Sequence, residues 1–364
     1  MALTKVSTGV VDMSGDTGGL VIAKGTDAQR PTCDASILGS IRENTDENKV
    51  EVCTSTGWQF LEEAGPSFVS GNIDYLIVAG GGAGKNGGGG AGGMIEGSEE
   101  NVTFLGTVIQ LTVGSGGESV GTVSSTGLTA GWDGEDSELT IDVNQGAIVA
   151  KGGGQGGRTD RATGTVGSGG SGGGGGSASG VITIGGLGNT PPTNPPQGYD
   201  GGTNGNFRGS PYPSGGGGGA GAIGGSATSN NQCGNGGDGR QSSITGTQTY
   251  YAGGGGGGMY SSSSGNGIGG LGGGGIGYRG TVQAIQQGIP NTGGGGGGGG
   301  NANRGGYGGS GVVILRFPIS YSAPIESNIS PAGGLTTSVS VDGSYRVVTY
   351  TCTTNATVSA TLTF

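Results

Sequence analysis

Short runs of apolar, mostly β-branched residues alternate with polar turns in the first sixty residues of the chain. Three such runs are Gly39–Asn44, Lys49–Cys53 and Trp58–Leu61, and their length and spacing are typical of short strands. We therefore predict a small β-meander in this region. Three short strands bury little apolar surface, so a meander of this size is expected to gain stability by oligomerising.

A second set of apolar runs frames a region that is dominated by glycine. The run Asp74–Gly80 passes directly into glycine, and Val312–Phe317 closes the region. Three further strands are predicted at Val108–Val113, Glu138–Val143 and Ile148–Ala150. A flexible glycine linker would lack such β-branched runs, so we expect the whole region to be folded.

The glycine blocks between these strands must be held together by the main chain. The 364 residues include 98 glycines, and the longest uninterrupted block is Gly293–Gly300. Collagen is excluded, because the glycines are contiguous and there are only 12 prolines. Extended left-handed helices with three residues per turn leave every N–H and C=O group able to bond sideways. We therefore predict a bundle of polyglycine-II helices.

The predicted fold class is mainly β with a polyglycine-II helix bundle, a small N-terminal β-meander and no significant α-helix. Four segments follow from the changes in composition. They are an N-terminal docking segment (1–24), a small β module (25–65), a glycine-rich domain (66–317) and a C-terminal β-hairpin segment (318–364).

Composition and charge argue against several function classes. Only 30% of residues are hydrophobic, so one conventional apolar core cannot serve the whole chain. Residues 1–150 carry 6 basic and 20 acidic side chains, and residues 151–364 carry 9 and 5. The arginines of the second part are dispersed, which does not indicate a nucleic-acid partner. Histidine is absent, which removes the commonest general base and zinc ligand.

The chemistry expected of the chain is correspondingly limited. We predict no enzyme activity, no cofactor and no metal. The stretch Gly80–Asn86 follows a strand but lacks the spacing and the Ser or Thr of a phosphate-binding loop. The cluster of carboxylates from Asp133 to Glu138 lacks the spacing of an EF-hand and is interpreted as a solvated turn before a strand.

The four cysteines have no metal-binding spacing. Cys33 and Cys53 flank one predicted hairpin and would be able to pair in an oxidising environment. Two buried free thiols are the alternative, and the expectation slightly favours them.

The segment after Gly25 resembles a short module of phage tail fibres and other virion appendages, which is usually trimeric. The order GT-x-AQRP, then G-x-IR-x-NT, then an acidic turn with K-x-E, and finally GW carries the resemblance. The matching positions are Gly25, Thr26, Gln29, Arg30, Pro31, Gly39, Ile41, Arg42, Asn44, Thr45, Lys49, Glu51, Gly57 and Trp58. The cysteine pair departs from the pattern.

The region from Ile73 to Phe317 resembles the glycine-rich domain of phage tail-fibre proteins. DYLIVAGGG near its start, TYYAGGGGGG in its middle and GGSGVVILRF at its end carry the likeness. Tyr345–Thr351 and the final TVSATLTF resemble a hairpin that often precedes this domain, whereas here it follows. Related folds at the tips of T-even-like long fibres are polyglycine sandwiches whose loops contact the host receptor.

The resemblance implies a virion fibre protein, either a tail fibre or a fibre-tip adhesin, that attaches to the host cell surface. The implied partners are a surface glycan or an outer-membrane protein, other virion proteins and two further copies in a homotrimer. The amino terminus lacks a signal-peptide core and no segment approaches a membrane span. We therefore expect assembly in the host cytoplasm, a place in the virion and no membrane insertion.

Aromatic interruptions of the glycine blocks are the candidate receptor-binding residues. Tyrosine-rich loops stiffened by proline present aromatic area at a low cost in conformational entropy. Packing against the bundle as a local core is the alternative role for each aromatic residue. The candidates are Tyr199, Phe207, Arg208, Tyr212, Tyr260, Tyr278 and Arg279.

Two other functions remain open at this point. The first is a structural role as a capsid fibre, a decoration protein or a tail adaptor. The second is a depolymerase of surface polysaccharide, which would require a carboxylate pair such as Asp133 and Asp136.

Overall fold

The computed structural model divides the chain into two compact units, Met1–Val69 and Ser70–Phe364. The structure describes residues 22–60, 70–104, 106–118, 133–141, 146–158, 166–177, 180–207, 209–262, 264–278, 286–300, 305–352 and 356–364. Most of the docking segment predicted for residues 1–24 lies outside these ranges, as does the predicted boundary at 65/66.

The first unit is a four-stranded sheet with the order β1-β2-β3-β4. Its strands are β1 (Ala23–Gly25), β2 (Ile41–Asn44), β3 (Lys49–Thr54) and β4 (Gly57–Phe60). The predicted meander is therefore confirmed, and β1 adds to it as a parallel edge strand.

The interior of the first unit is polar as well as apolar. The Glu51 carboxylate is buried and pairs with Arg42 at 3.2 Å and with Arg30 at 2.8 Å. Trp58 Nε1 donates to the carbonyl oxygen of Pro31 at 2.7 Å, which fastens the incoming chain to β4. A buried charge without a partner is strongly destabilising, so Glu51 depends on these arginines for its place in the interior.

Cys33 and Cys53 form a disulfide bond, with Cα atoms 5.5 Å apart. The expectation of two free thiols is therefore wrong. The loop before β2 turns back so that Gly39 N–H donates to the carbonyl of Cys53 at 2.8 Å. This return of the chain brings the two sulfurs together, and spacing along the sequence does not reveal it.

The second unit contains two antiparallel five-stranded sheets. The first sheet has the order β14-β15-β12-β5-β6, and the second has the order β13-β16-β7-β8-β9. The strands of the first sheet are β5 (Ser70–Val78), β6 (Met94–Thr103), β12 (Val312–Pro318), β14 (Leu335–Asp342) and β15 (Tyr345–Cys352). The strands of the second sheet are β7 (Val108–Val113), β8 (Ser137–Thr140), β9 (Ile148–Ala150), β13 (Ile325–Ser330) and β16 (Val358–Thr363). A separate hairpin consists of β10 (Arg240–Ser242) and β11 (Thr249–Tyr251).

The two sheets enclose the main apolar core of the second unit. Ile77 of β5, Leu111 of β7, Leu315 of β12 and Leu362 of β16 are all buried in this core. Strand β12 is apolar from Val312 to Leu315 because both faces of this part are covered. Val313 and Leu315 face the second sheet, and Ile314 faces the β10–β11 hairpin and the glycine bundle.

The glycine blocks form a lattice with the threefold repeat of polyglycine-II helices. Along Gly87–Gly93, every third N–H group donates to the same neighbouring segment. The pairs are Gly87–Gly157, Gly90–Gly154 and Gly93–Lys151 to the first neighbour, Gly88–Gly215 and Ala91–Gly218 to the second, and Gly89–Gly296 and Gly92–Gly293 to the third. Three residues per turn with bonds in three directions is the geometry predicted for the blocks.

At the glycine positions, adjacent segments of this lattice approach too closely for a side chain. An ideal Cβ on Gly255 would lie 2.0 Å from the carbonyl oxygen of Gly296, and one on Gly89 would lie 2.1 Å from that of Gly82. Such distances are far below van der Waals contact. The contiguous glycines are therefore explained by close packing of backbone against backbone.

The predicted strands Asp74–Gly80, Val108–Val113, Ile148–Ala150 and Val312–Phe317 correspond to β5, β7, β9 and β12. The end of the predicted strand Glu138–Val143 lies outside the described residues. No α-helix is present in the described part of the chain, as predicted. That part also contains no helix with the length and apolarity needed to cross a membrane.

The two stretches that resemble one hairpin, Tyr345–Thr351 and the final TVSATLTF, form β15 and β16, which lie in different sheets and do not pair, so that prediction is wrong. The hairpin within residues 318–364 is β14–β15. Strand β15 pairs with β12, and β16 pairs with β7. The segment thus contributes strands to both sheets of the second unit.

Candidate functional site

The glycine bundle has two ends with different surroundings. The sheet end adjoins the first sheet, where β5 passes into Gly80 and Gly311 leads into β12. The far end is marked by the turn at Lys85–Asn86, where the first glycine block reverses. Lys85 N–H donates to Gly87 at this turn, and the returning block leads into β6.

Three later segments meet at the far end. The carbonyl oxygen of Asn86 accepts the N–H of Gly258 at 2.8 Å and lies 2.6 Å from Ser214 Oγ. Asn86 Nδ2 donates to the carbonyl oxygen of Gly299 at 3.1 Å. These bonds fix the ends of three glycine blocks beside one turn, so the loops that leave these blocks emerge on the same surface.

Tyr212 and Tyr260 lie next to each other on this surface. Their ring centroids are 6.0 Å apart and the planes are inclined by 75°, which is an edge-to-face arrangement. Tyr260 N–H donates to the carbonyl of Tyr212 at 3.3 Å, and the hydroxyls of Ser210 and Ser261 are 3.2 Å apart. Tyr212 has a φ of 57°, a left-handed conformation that is uncommon for an aromatic residue. Two loops distant in sequence therefore form one aromatic and hydroxyl-rich patch.

Tyr278 and Phe207 also lie at the far end. The N–H of Tyr278 donates to Gly298 at 2.8 Å, one residue before the Gly299 carbonyl that contacts Asn86. Phe207 follows a block that runs beside Gly216 toward the far end. The side chains of Tyr212, Tyr260, Tyr278 and Phe207 are half-buried, so each combines contact with the bundle and exposed ring area.

Tyr199 lies at the opposite end of the bundle. Its N–H donates to the carbonyl oxygen of Gly219 at 3.1 Å. Ala220, which follows Gly219, donates its N–H to the carbonyl oxygen of Ala252, immediately after β11. Arg208 and Arg279 lie outside the described residues. The structure thus places Phe207, Tyr212, Tyr260 and Tyr278 at the same end of the bundle, with Tyr212 and Tyr260 in contact, and Tyr199 at the other end. We define the far-end patch as these four residues with Ser210 and Ser261.

The carboxylates considered for a depolymerase contact the backbone. Asp133 Oδ1 accepts the N–H of Gln155 at 2.7 Å. Asp136 Oδ1 accepts the N–H of Gly152 at 2.8 Å, and its Oδ2 pairs with Lys151. These bonds attach the segment before β8 to the chain that follows β9, which gives both carboxylates a structural role.

Two cysteines have free thiols. Cys233 is buried and Cys352 is half-buried. Burial raises the pKa of each thiol to about 11, so both remain protonated near neutral pH and are poor nucleophiles. Among the described residues, no group of three or more His, Cys, Asp or Glu side chains is arranged to hold a metal ion.

A polar cleft of about 640 Å³ lies on the outer face of the first sheet, and no motif in the sequence indicates it. Its lining includes Asp74, Glu96, Arg316 and Asp342. These residues come from four different strands, and their separation along the chain hides their proximity. The alternation of polar residues in β6 indicates that strand in the sequence. Which other residues line the cleft beside it is known only from the order of the strands in the sheet.

A family of glycine-rich domains matches residues 63–318 of the chain. Neither a curated protein nor a solved structure gives a significant match. The matched range contains the glycine lattice, β5 to β12 and the far-end patch. The chain therefore belongs to the glycine-rich domain family.

Proposed function

We propose that this protein is a virion fibre protein, a tail fibre or fibre-tip adhesin, that attaches the particle to the host cell surface through the far-end patch. The observation that carries the proposal is the convergence of aromatic side chains from separate interruptions on the end of the bundle away from the sheets. The lattice contains few side chains, so specific recognition falls to the loops at its ends.

The lattice suits this role because it holds the loops in place. The blocks on either side of Tyr212 and Tyr260 are fixed by the bonds of Ser214 and Gly258 to Asn86. A loop ordered before binding loses less conformational entropy when it meets its target. Tyrosine rings stack on sugar faces and contact protein surfaces through the same exposed area. The proposed target is a surface glycan or an outer-membrane protein, and binding breaks no bond.

The first unit supports the proposal in two ways. Its sheet carries the residues that resemble the tail-fibre module, which is usually trimeric. Its Cys33–Cys53 disulfide is a feature of proteins that function in oxidising surroundings, as a released particle does. We propose a homotrimer attached to other virion proteins, in which several weak far-end contacts add up by avidity.

Adsorption of particles to host cells tests the proposal. We expect the triple variant Phe207→Ser, Tyr212→Ser and Tyr260→Ser to assemble normally but to adsorb at least about tenfold more slowly, since aromatic anchors dominate recognition surfaces. Tyr199→Ser is the control for the position of the substitution, because it removes an aromatic ring from the sheet end. Equal adsorption of the triple variant and the control would mean that the far-end rings only pack on the bundle.

A structural role is the second candidate, because large aliphatic side chains of the glycine-rich region are exposed. Ile184, Ile223 and Ile268 are examples, and a neighbouring virion protein would cover such residues in a capsid fibre, decoration protein or tail adaptor. Antibody labelling of intact particles separates the two functions. Labelling at fibre tips supports attachment, and labelling confined to the head or collar supports the structural role.

A further inference from the structure

We propose that the polar cleft on the first sheet is a second binding site, which takes a saccharide without acidic groups. The proposal goes beyond attachment through the far-end patch and does not rest on it. The cleft lies between the first sheet and the loop that joins β10 to β11, on the sheet side of the second unit.

The cleft is built by strands that place polar side chains on one face. The register aligns Ser98 of β6, Asp74 of β5 and Arg316 of β12 in a single row across the sheet. Asp342 lies at the end of β14, and the loop wall is formed by Ser243, Ile244 and Gly246. The volume of about 640 Å³ falls within the roughly 300–1,000 Å³ typical of small-ligand sites.

The polar groups of the cleft are held in fixed positions. Arg316 Nη1 contacts Asp74 Oδ2 at 3.2 Å, and Nη2 contacts Asp342 Oδ2 at the same distance. The guanidinium carbon lies 3.6 Å from the centroid of the Tyr345 ring. Glu96 Oε1 accepts a hydrogen bond from Ser242 Oγ at 2.8 Å. Groups that are already ordered lose little entropy when a ligand binds.

The same carboxylates remain accessible. The side chains of Asp74 and Asp342 are each 37% exposed, although both contact Arg316. A carboxylate has two oxygens and about four acceptor positions, so one contact with arginine leaves capacity for a ligand. Gly246 allows the loop to approach Asp342 closely, because a Cβ there would lie 2.7 Å from the Asp342 carboxyl carbon.

The charges of the side chains that line the cleft determine which class of ligand it can bind. Three carboxylates and one guanidinium line the cleft, so an anionic ligand would meet net repulsion. Hydroxyl groups donate to carboxylate oxygens in charge-assisted hydrogen bonds, and the hydroxyls of Ser98 and Ser243 both donate and accept. A polyhydroxylated ring, neutral or carrying an amino group, satisfies such a lining without bringing negative charge.

Hydrogen exchange on the intact protein, followed by mass spectrometry, tests the site. The probes are maltotriose, diacetylchitobiose and chitobiose at millimolar concentration, with trigalacturonic acid as the acidic counterpart and spermidine as a cation that is not a saccharide. We expect at least one non-acidic probe to slow exchange in the 243–246 loop and around the β14–β15 turn, and the acidic probe to have no effect there. Protection by none of the non-acidic probes, or protection by spermidine alone, overturns the proposal.

Substitutions supply the second measurement. Asp74→Asn and Asp342→Asn keep the shape but remove one charge each, and we expect either change to weaken saccharide binding about tenfold, because a hydrogen bond to a charged group is lost. Glu138→Gln on β8 is the matched control, since it removes a carboxylate from the outer face of the second sheet. Unchanged affinity in both Asp variants overturns the assignment.

These outcomes are independent of the far-end patch. Cleft variants test saccharide binding by the purified protein, whereas the far-end triple variant tests adsorption. If the far-end triple variant adsorbs poorly and the cleft variants bind saccharide normally, only the far-end assignment is supported. If the triple variant adsorbs normally and the cleft variants lose saccharide binding, only the cleft assignment is supported.

Discussion

Replacing Gly255 by alanine is the sharpest test of the lattice. The added Cβ would lie 2.0 Å from the carbonyl oxygen of Gly296, whereas ordinary contact begins at 3.4 Å. Relief therefore requires a displacement of about 1.4 Å. The same carbonyl accepts the N–H of Gly89 at 2.7 Å, and a shift of that size would take the bond beyond hydrogen-bonding range.

The expected cost is the sum of two effects. Overpacking in a dense interior costs about 1–3 kcal/mol. Breaking the bond between Gly89 and Gly296 leaves a buried donor and acceptor unsatisfied, at about 1–3 kcal/mol for each group. The total is roughly 3–9 kcal/mol. For a unit of this length, each kcal/mol lowers Tm by about 2 °C, so we expect a fall of about 6–18 °C.

Differential scanning calorimetry of the whole protein measures this change. Gly209→Ala is the matched control, because the nearest atom to its added Cβ is 3.7 Å away. The control is expected to melt like the wild type or slightly higher, since alanine restricts the unfolded chain. If Gly255→Ala melts with the control, the close approach of the segments does not exist and the lattice is refuted.

Three further predictions concern the buried charges and sulfurs. Replacing both Cys33 and Cys53 by serine should destabilise the first unit by about 3 kcal/mol, because the disulfide closes a loop of about 20 residues; calorimetry should show the second unit unchanged. Glu51→Gln should cost the first unit about 3 kcal/mol, because two arginines lose a buried partner; urea unfolding that matches the wild type would contradict this. The raised pKa values of Cys233 and Cys352 mean that the folded protein keeps protons that the unfolded chain releases. Stability should therefore fall as pH rises from 9 toward 11, and the fall should be smaller in the variant with both thiols replaced by alanine.

The prediction of the strands succeeded where apolar runs are continuous and failed where one face is polar. Strand β12 begins with four apolar residues, Val312 to Leu315, because two cores cover both faces there, and its position was predicted to within a residue. Strand β6 alternates between buried and exposed residues and lies at a sheet edge, so it was missed. Strands β13 and β14 are edge strands too, and most of their side chains are exposed.

The candidate site was predicted in its residues but not in its arrangement. Aromatic interruptions stand out against glycine, so Phe207, Tyr212, Tyr260 and Tyr278 were identifiable from the sequence. Which end of the bundle each interruption occupies depends on the direction of every block, and the sequence does not state that direction. The exposed Tyr199 lies in the same kind of aromatic interruption as Phe207 and Tyr212, and yet it is at the other end of the bundle.

The amino-acid sequence by itself determined that the centre of this protein is a main-chain lattice framed by strands. Contiguous glycine has no side chains to pack, and its N–H and C=O groups must find partners. Only the tertiary structure decided which segments are neighbours, that Cys33 pairs with Cys53, that four aromatic rings share one end, and that Arg316 lies between Asp74 and Asp342. The physical reason is that glycine blocks are interchangeable in sequence, so their pairing is set by strands and loops far away along the chain.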